Sequence, residues 1–247
     1  MDYIILDLEW NQPLSYNSSA YKSVGGKLLF EMIQIGAIKL NDRLEIIDTF
    51  NQLIQPTHYV KLHPRIKRIT GISQDQLCDA PQFCEAAQRF HAWCGTDCAL
   101  LTWGCDDVSV FQQNLDFFAY SEPFPQMYDL QRLYAAEMGR SGQVALKAAM
   151  ETLGIDPDEN RSFHNAKDDA YYTALILEGL PRAVLKNYSI DYYRTPKNRK
   201  EEVYVVFDTY SKYISREFAT KERAMKDREV LSTRCYLCGN PAKKKLR

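Results

Sequence analysis

The chain has 247 residues, with 31 Lys and Arg against 32 Asp and Glu and a net charge of −1. That length holds one sizeable α/β domain and a small appendage, and the neutral balance excludes a global basic field as the means of gripping a partner. Seven cysteines, five of them (Cys78, Cys84, Cys94, Cys98, Cys105) spread through regular-looking segments, fit reduced thiols in a cytoplasm better than a disulfide framework. The first residues, Met-Asp-Tyr-Ile-Ile-Leu-Asp, meet an acid too early for a signal peptide, and no apolar stretch reaches bilayer-spanning length.

Tyr3 to Leu8 reads as a central strand, followed by a polar loop or arm from Asn11 to Lys27. Met32–Leu40 and Leu44–Ile54 are two further strands joined by Asn41-Asp42-Arg43, a hairpin pattern. Three neighbouring strands so early predict a mixed sheet. Pro64 to Gly71 reads as a short helix closed by its glycine. Phe83, Ala86, Ala87, Phe90 and Trp93 share one face of a helix from Pro81 to Cys94. Cys98 to Trp103 is a buried strand ending at Gly104, and a helix starting near Asp106 turns Val110, Phe111 and Leu115 inward. A fifth strand over Gln126–Leu130 leads into helices at Gln131–Met138, Gln143–Leu153 and Asn165–Leu185.

This alternation predicts a three-layer α/β domain over residues 1–187. A connector follows over 188–200, and then a small α+β unit over 201–247. Within that unit Val203–Phe207 and Tyr213–Phe218 read as strands and Lys221–Leu231 as a helix.

The candidate chemistry lies in three pieces. Asp7 and Glu9 stand two apart on a strand and so share a face. Either they are costly acids awaiting a positive partner, or the strand ends early and they are solvated. Leu101-Thr102-Trp103-Gly104-Cys105-Asp106-Asp107-Val108 carries two acids where a strand hands over to a helix, the edge at which open α/β sheets keep their sites. We give the capping duty to Asp106 and the site role to Asp107, which Val110 and Phe111 anchor to the core. In Phe163-His164-Asn165-Ala166-Lys167-Asp168-Asp169, five helical residues would hold His164 and Asp169 off a common face. Placing His164 in the loop, Asn165 as N-cap and Asp168 at N3 of a capping arrangement leaves Asp169 free to turn toward the other acids. A hydrogen-bonded structural histidine is the alternative for His164.

Together, acid-x-acid, an acid after a strand and His-x-Ala-x-x-Asp resemble the DEDDh 3′→5′ exonucleases, the family of the proofreading exonuclease, oligoribonuclease and RNase T. The resemblance spans most of residues 1–185, with softer matches at Gln34-Ile35-Gly36-Ala37, Ile69-Thr70-Gly71-Ile72-Ser73 and Leu146–Ile155. Asp7-Leu8-Glu9-Trp10 and Trp103-Gly104-x-x-Asp107 look closest to the branch that trims structured and small RNAs. The resemblance implies an RNase H-like fold with a mixed five-stranded sheet and a two-metal exonuclease. Asp7, Glu9, Asp107 and Asp169 would hold two Mg²⁺ or Mn²⁺ ions. His164, whose imidazole can take up a proton, would act as base. Leu8 would contact the terminal nucleotide through its backbone and Asn11 its sugar. Trp10 either stacks on a base or fills the core at the strand end.

Cys235-x-x-Cys238 has the spacing of half a Zn²⁺ site, with an incidental thiol pair as the alternative, and the Lys243-Lys244-Lys245 run beside it reads as a solvated tail. The implied partners are single-stranded 3′ ends, RNA favoured over DNA. The competing readings are a polymerase proofreading module and a nucleic-acid-binding protein without catalysis. All five site residues are present, which argues against the last.

Overall fold

In a computed structural model, the structure describes residues 1–242 except 126, 141–142, 183–184, 186–195, 197, 207–210, 232 and 235–240. The chain divides into two compact units, Met1–Tyr192 and Tyr193–Arg247.

The first unit is built on a five-stranded sheet of order β3-β2-β1-β4-β5. β1 (Asp2–Asn11) pairs antiparallel with β2 (Glu31–Leu40) and parallel with β4 (Cys98–Thr102). β3 (Ile46–Leu53) extends β2 as a hairpin, and β5 (Met127–Asp129) adds a parallel edge to β4. The sheet is therefore mixed, as the early hairpin predicts.

Alternation along β1 divides the core. Ile5 packs with α6 (Leu130–Glu137), α7 (Leu146–Leu153) and α8 (Ala166–Glu178) on one face. Ile4, Leu6 and Leu8 pack with α4 (Phe83–Cys94) and α5 (Asp106–Phe117) on the other. Two short helices, α2 (Pro64–Thr70) and α3 (Gln74–Cys78), cover a smaller cluster around Ile33 and Leu77. Gly71 ends α2 in the left-handed conformation, as its position after the helix predicts.

Several boundaries differ from the sequence reading. β1 runs on to Asn11, so the polar arm begins later, and it holds the short helix α1 (Ser19–Ser23). α3 was not foreseen, although Ser73 and Gln76 form a capping box at its start. α7 begins at Leu146 and not Gln143, because the Val144 carbonyl accepts Trp103 Nε1 at 3.0 Å and Gln131 Nε2 at 2.8 Å. α8 ends at Glu178 with Gly179 as C-cap, short of Leu185.

In the second unit β6 (Val203–Val206) pairs antiparallel with β7 (Ser211–Ile214), earlier than the expected Tyr213–Phe218. The single helix expected over Lys221–Leu231 is two, α9 (Lys221–Ala224) and α10 (Arg228–Leu231). Asp227 restarts the chain between them. Its carboxylate accepts the Glu229 amide at 3.0 Å and pairs with Arg216 at 3.1 Å. β8 (Thr233–Arg234) and β9 (Pro241–Ala242) form a last two-stranded pair. Cys235, Cys238, the Lys243–Lys245 run and most of the 188–200 connector lie outside the described residues. Among the described residues no helix is long and apolar enough to cross a membrane.

Candidate active site

β1 supplies the first two acids. Ile5, Asp7 and Glu9 alternate onto the face that α8 covers, so both carboxylates emerge where the apolar core gives way to the sheet edge. β4 stops at Thr102, beside Leu6. Leu8 therefore has no strand partner on that side, and its amide donates to Asp107 Oδ1 at 2.9 Å.

Asp107 reaches that amide from the first turn of α5. Gly104, at φ +102°, bends the chain out of β4, and Thr102 Oγ1 donates to the Gly104 carbonyl at 2.6 Å. Cys105 is the N-cap, with no side-chain cap bond, so the capping duty given to Asp106 is corrected. Asp106 is the first helical residue and exposed, while Asp107 is 6% exposed.

α8 brings the remaining two groups. His164 precedes the helix at φ +63°, a left-handed conformation uncommon for a residue with a side chain. Its amide donates to Asp169 Oδ2 at 2.9 Å. Asn165 is the N-cap, but its side chain makes no cap bond. The capping arrangement expected of Asp168 is likewise corrected: its carboxylate accepts from Arg161 Nη1 at 3.0 Å and from the Ser162 amide at 3.2 Å. Arg161 also lies over the Tyr171 ring at 3.6 Å. Two adjacent acids thus pin the loop that presents His164.

The start of α8 sits against β2 through two residues whose part the sequence reading did not foresee. Gln34, paired with Glu9 across the strands, accepts the Ala166 amide on Oε1 at 3.3 Å. Gly36, paired with Asp7, lies so close under the helix that a Cβ there would stand 2.1 Å from Ala166 C and Lys167 N. The Gln34-Ile35-Gly36-Ala37 string was the available signal.

Glu9, His164 and Asp169 each offer one ligand atom, all within 4.8 Å of one another. Burial, then the neighbouring Asp107, Asp169 and Glu9, push the Asp7 carboxyl well above the usual range. Burial, with Asp169 and Asp107 nearby, raises Glu9 to about 8. Burial outweighs the Leu8 amide at Asp107, which rises to about 7. Burial takes Asp169 to about 6 against the His164 amide. Among the described residues no ion pair joins any of the four to a basic side chain, and Asp169 Oδ1 is buried without a hydrogen-bond partner. Crowded hard oxygen donors that no basic side chain among the described residues pairs with are a chemical fit for hard divalent cations.

The expected substrate contacts separate. Asn11 is fully buried. Its Nδ2 donates to the Tyr59 and Lys61 carbonyls at 2.7 and 3.1 Å, and Oδ1 accepts the His63 amide at 2.9 Å. With its amide group spent on that loop, the sugar-binding expectation for Asn11 is withdrawn. The Leu8 amide is taken by Asp107, which removes it as a donor to substrate. Trp10 follows a register shift in β1 and packs on Phe30 at 6.0 Å. It lines a cleft of about 260 Å³ with Leu29, Phe30, Asp106, Ser109, Val110 and Gln113. A wider depression of about 440 Å³ among Arg216, Phe218, Arg223 and Lys226 of the second unit holds none of the expected site residues.

The family described as Exonuclease (RNase_T) matches residues 22–177, a stretch that holds Asp107, His164 and Asp169 and begins after Asp7 and Glu9. The probable 3′-5′ exonuclease KapD of Bacillus subtilis (strain 168) is 29% identical over 142 residues, 57% of this chain and 68% of that protein. The 3′-5′ exoribonuclease 1 of Rattus norvegicus is 28% identical over 176 residues, 66% of this chain and 50% of its own length. The chain therefore spans about half of that relative. The solved nuclease domain of 3′hExo, described as a DEDDh family member bound to rAMP, is 25% identical, with a TM-score of 0.61 over 79% of this chain and 96% of that one.

Proposed function

The chain belongs to the Exonuclease (RNase_T) family, and from that membership we propose that Asp7, Glu9, Asp107 and Asp169 hold two divalent cations, Mg²⁺ or Mn²⁺, for 3′→5′ hydrolysis of single-stranded ends. The observation that carries the reading is the convergence of four carboxylates that, among the described residues, no basic side chain pairs with. When bound, two such cations stabilise the attacking and leaving oxygens of an in-line phosphoryl displacement. His164, beside Glu9 and Asp169 and outside the helical repeat, takes the proton of the attacking water. Asp169 and Asp168 keep that imidazole in place by tying the His164 and Ser162 amides. Trp10 stacks the terminal base in its cleft, a contact worth about 1–3 kcal/mol in single-strand binders. The products are nucleoside 5′-monophosphates.

RNA is the preferred substrate in this reading. The likeness to a rat exoribonuclease and to a nuclease domain bound to rAMP supports that choice. A cytoplasmic location belongs to the same proposal, supported by unbridged thiols at Cys78, Cys84, Cys94 and Cys98. A Zn²⁺ ion on Cys235 and Cys238 stays a separate proposal, which metal analysis of the purified protein tests.

Labelled RNA and DNA oligomers of matched sequence should release mononucleotides from the 3′ end in Mg²⁺ or Mn²⁺ and none in EDTA, with RNA turned over faster. Hydrolysis that survives EDTA, or cleavage at internal bonds, would sink the reading. For the base role His164→Asn is the informative variant, since Asn tolerates the left-handed backbone that Ala would strain. We expect it to lose about 10²- to 10⁴-fold in rate near neutral pH. A pH–rate profile with the same shape as wild type removes His164 from that role.

A further inference from the structure

A neutral protein that processes a polyanion still needs somewhere to lay the strand, and charge in this chain is unevenly placed. Between Asp48 and Asp75 the sequence holds no acid, while Lys61, Arg65, Lys67 and Arg68 fall within eight positions of one another. All four are exposed, and among the described residues none forms an ion pair with an acid. Three of them lie on α2, whose other face is fixed by Ile66, packed with Ile33 and Leu77.

The patch is anchored to the site. Asn11, two residues beyond Glu9 on β1, bonds the Tyr59 and Lys61 carbonyls and the amide of His63, and His63 is the N-cap of α2. Two strand residues span about 7 Å, so the side chain that holds the start of the basic run leaves β1 about that far from Glu9. Glu31, an acid that holds this loop, is buried with both oxygens turned to the Thr57, His58 and Tyr59 amides. It stiffens the loop without facing the solvent side.

Resting on the exonuclease reading of the site, we infer that Lys61 and the exposed face of α2 (Arg65, Lys67, Arg68) form a track for the phosphates of the nucleic-acid strand upstream of the 3′ end. The track recognises backbone charge and not base sequence. It supplies affinity that grows with strand length, which the carboxylate cluster cannot provide.

The test compares wild type, Arg65→Gln/Lys67→Gln/Arg68→Gln and Arg65→Glu/Lys67→Glu/Arg68→Glu. Binding of a 5′-labelled single-stranded oligomer is followed by fluorescence anisotropy in EDTA across a salt series, and hydrolysis of that oligomer and of a dinucleotide is followed in Mn²⁺. Thermal melting checks that the variants fold. The expected result is a Kd for the oligomer raised roughly tenfold or more by the neutral variant, and further by the reversed one. The log–log salt slope should become shallower by roughly 2, three contacts at about 0.7 each. Dinucleotide turnover should be unchanged. An unchanged salt slope in folded variants, or equal losses on oligomer and dinucleotide, overturns the track. If wild type hydrolyses neither substrate, the catalytic reading fails instead, and the anisotropy series still decides the track by the same criteria.

Discussion

Asp7→Asn should lose at least about 10³-fold in hydrolysis, on the scale of removing a group that stabilises transition-state charge, while the metal-free protein becomes more stable at pH 8. The two effects have one cause. Asp7 is held well above the usual carboxylate range by burial and by Asp107, Asp169 and Glu9. In the fold it keeps its proton at pH values where the unfolded chain has released it. Stability from such a group is fully present below the unfolded value near ~4 and is lost as pH rises through the folded range. For this cluster that range extends through about 6 for Asp169 to about 8 for Glu9. At pH 8 the wild-type fold still holds protons that the unfolded chain has released, and a neutral amide at position 7 removes that cost. A gain on the order of 1 kcal/mol corresponds to about 2–4 °C in Tm for a chain of this size. At pH 4, near the unfolded value, the difference should nearly vanish. Mg²⁺ or Mn²⁺ should raise the wild-type Tm at pH 8 and do little for the variant. Thermal melts in EDTA and in metal at both pH values give the answer. A variant that is active, or that melts below wild type at pH 8 without metal, contradicts the assignment of Asp7.

The parts of this site that were legible in the sequence are those set by local periodicity. Two acids two apart on a strand must share a face, and His164 could be set outside the helix because five helical residues do not return to one side. The choice between Asp106 and Asp107 shows where local reasoning stops. Capping preference favoured Asp106 as N-cap, yet Cys105 occupies that place. What fixes Asp107 is the length of β4 relative to β1. Because β4 ends at Thr102, the Leu8 amide is left open to the Asp107 carboxylate 99 residues away. No window of sequence contains that fact. Asn11 fails for a similar reason. A polar residue next to the site reads as a substrate contact, but its partners at Tyr59, Lys61 and His63 are near it only in the fold. The basic face of α2 was visible as residue types, while its link to Glu9 through that same Asn11 was not.

Gly36→Ala should disable the site from outside it. Gly36 touches none of the four acids by its own side chain, having none, and its φ gives it no special need to be glycine. Its need is distance: an added Cβ would stand 2.1 Å from Ala166 C and Lys167 N and 2.5 Å from Ala166 O. These neighbours are backbone atoms of the first turn of α8 and cannot swing aside as a flexible side chain would. The helix start must lift, or β2 must sink against a sheet that is fully paired on both sides at that point. Lifting the helix weakens the Gln34 bond to the Ala166 amide, and it carries Asp169 and His164 away from Asp7 and Glu9. Overpacking of this kind costs about 1–3 kcal/mol, and a misplacement of about 1 Å at reacting groups costs about 10²-fold in rate. We therefore expect a Tm several degrees lower and a turnover reduced about 10²-fold at temperatures where the variant is still folded. Adding Mn²⁺ should recover little of either, because the ligands no longer converge. Near wild-type turnover in the folded variant would mean that the approach of α8 to β2 does not set the geometry of the carboxylate cluster.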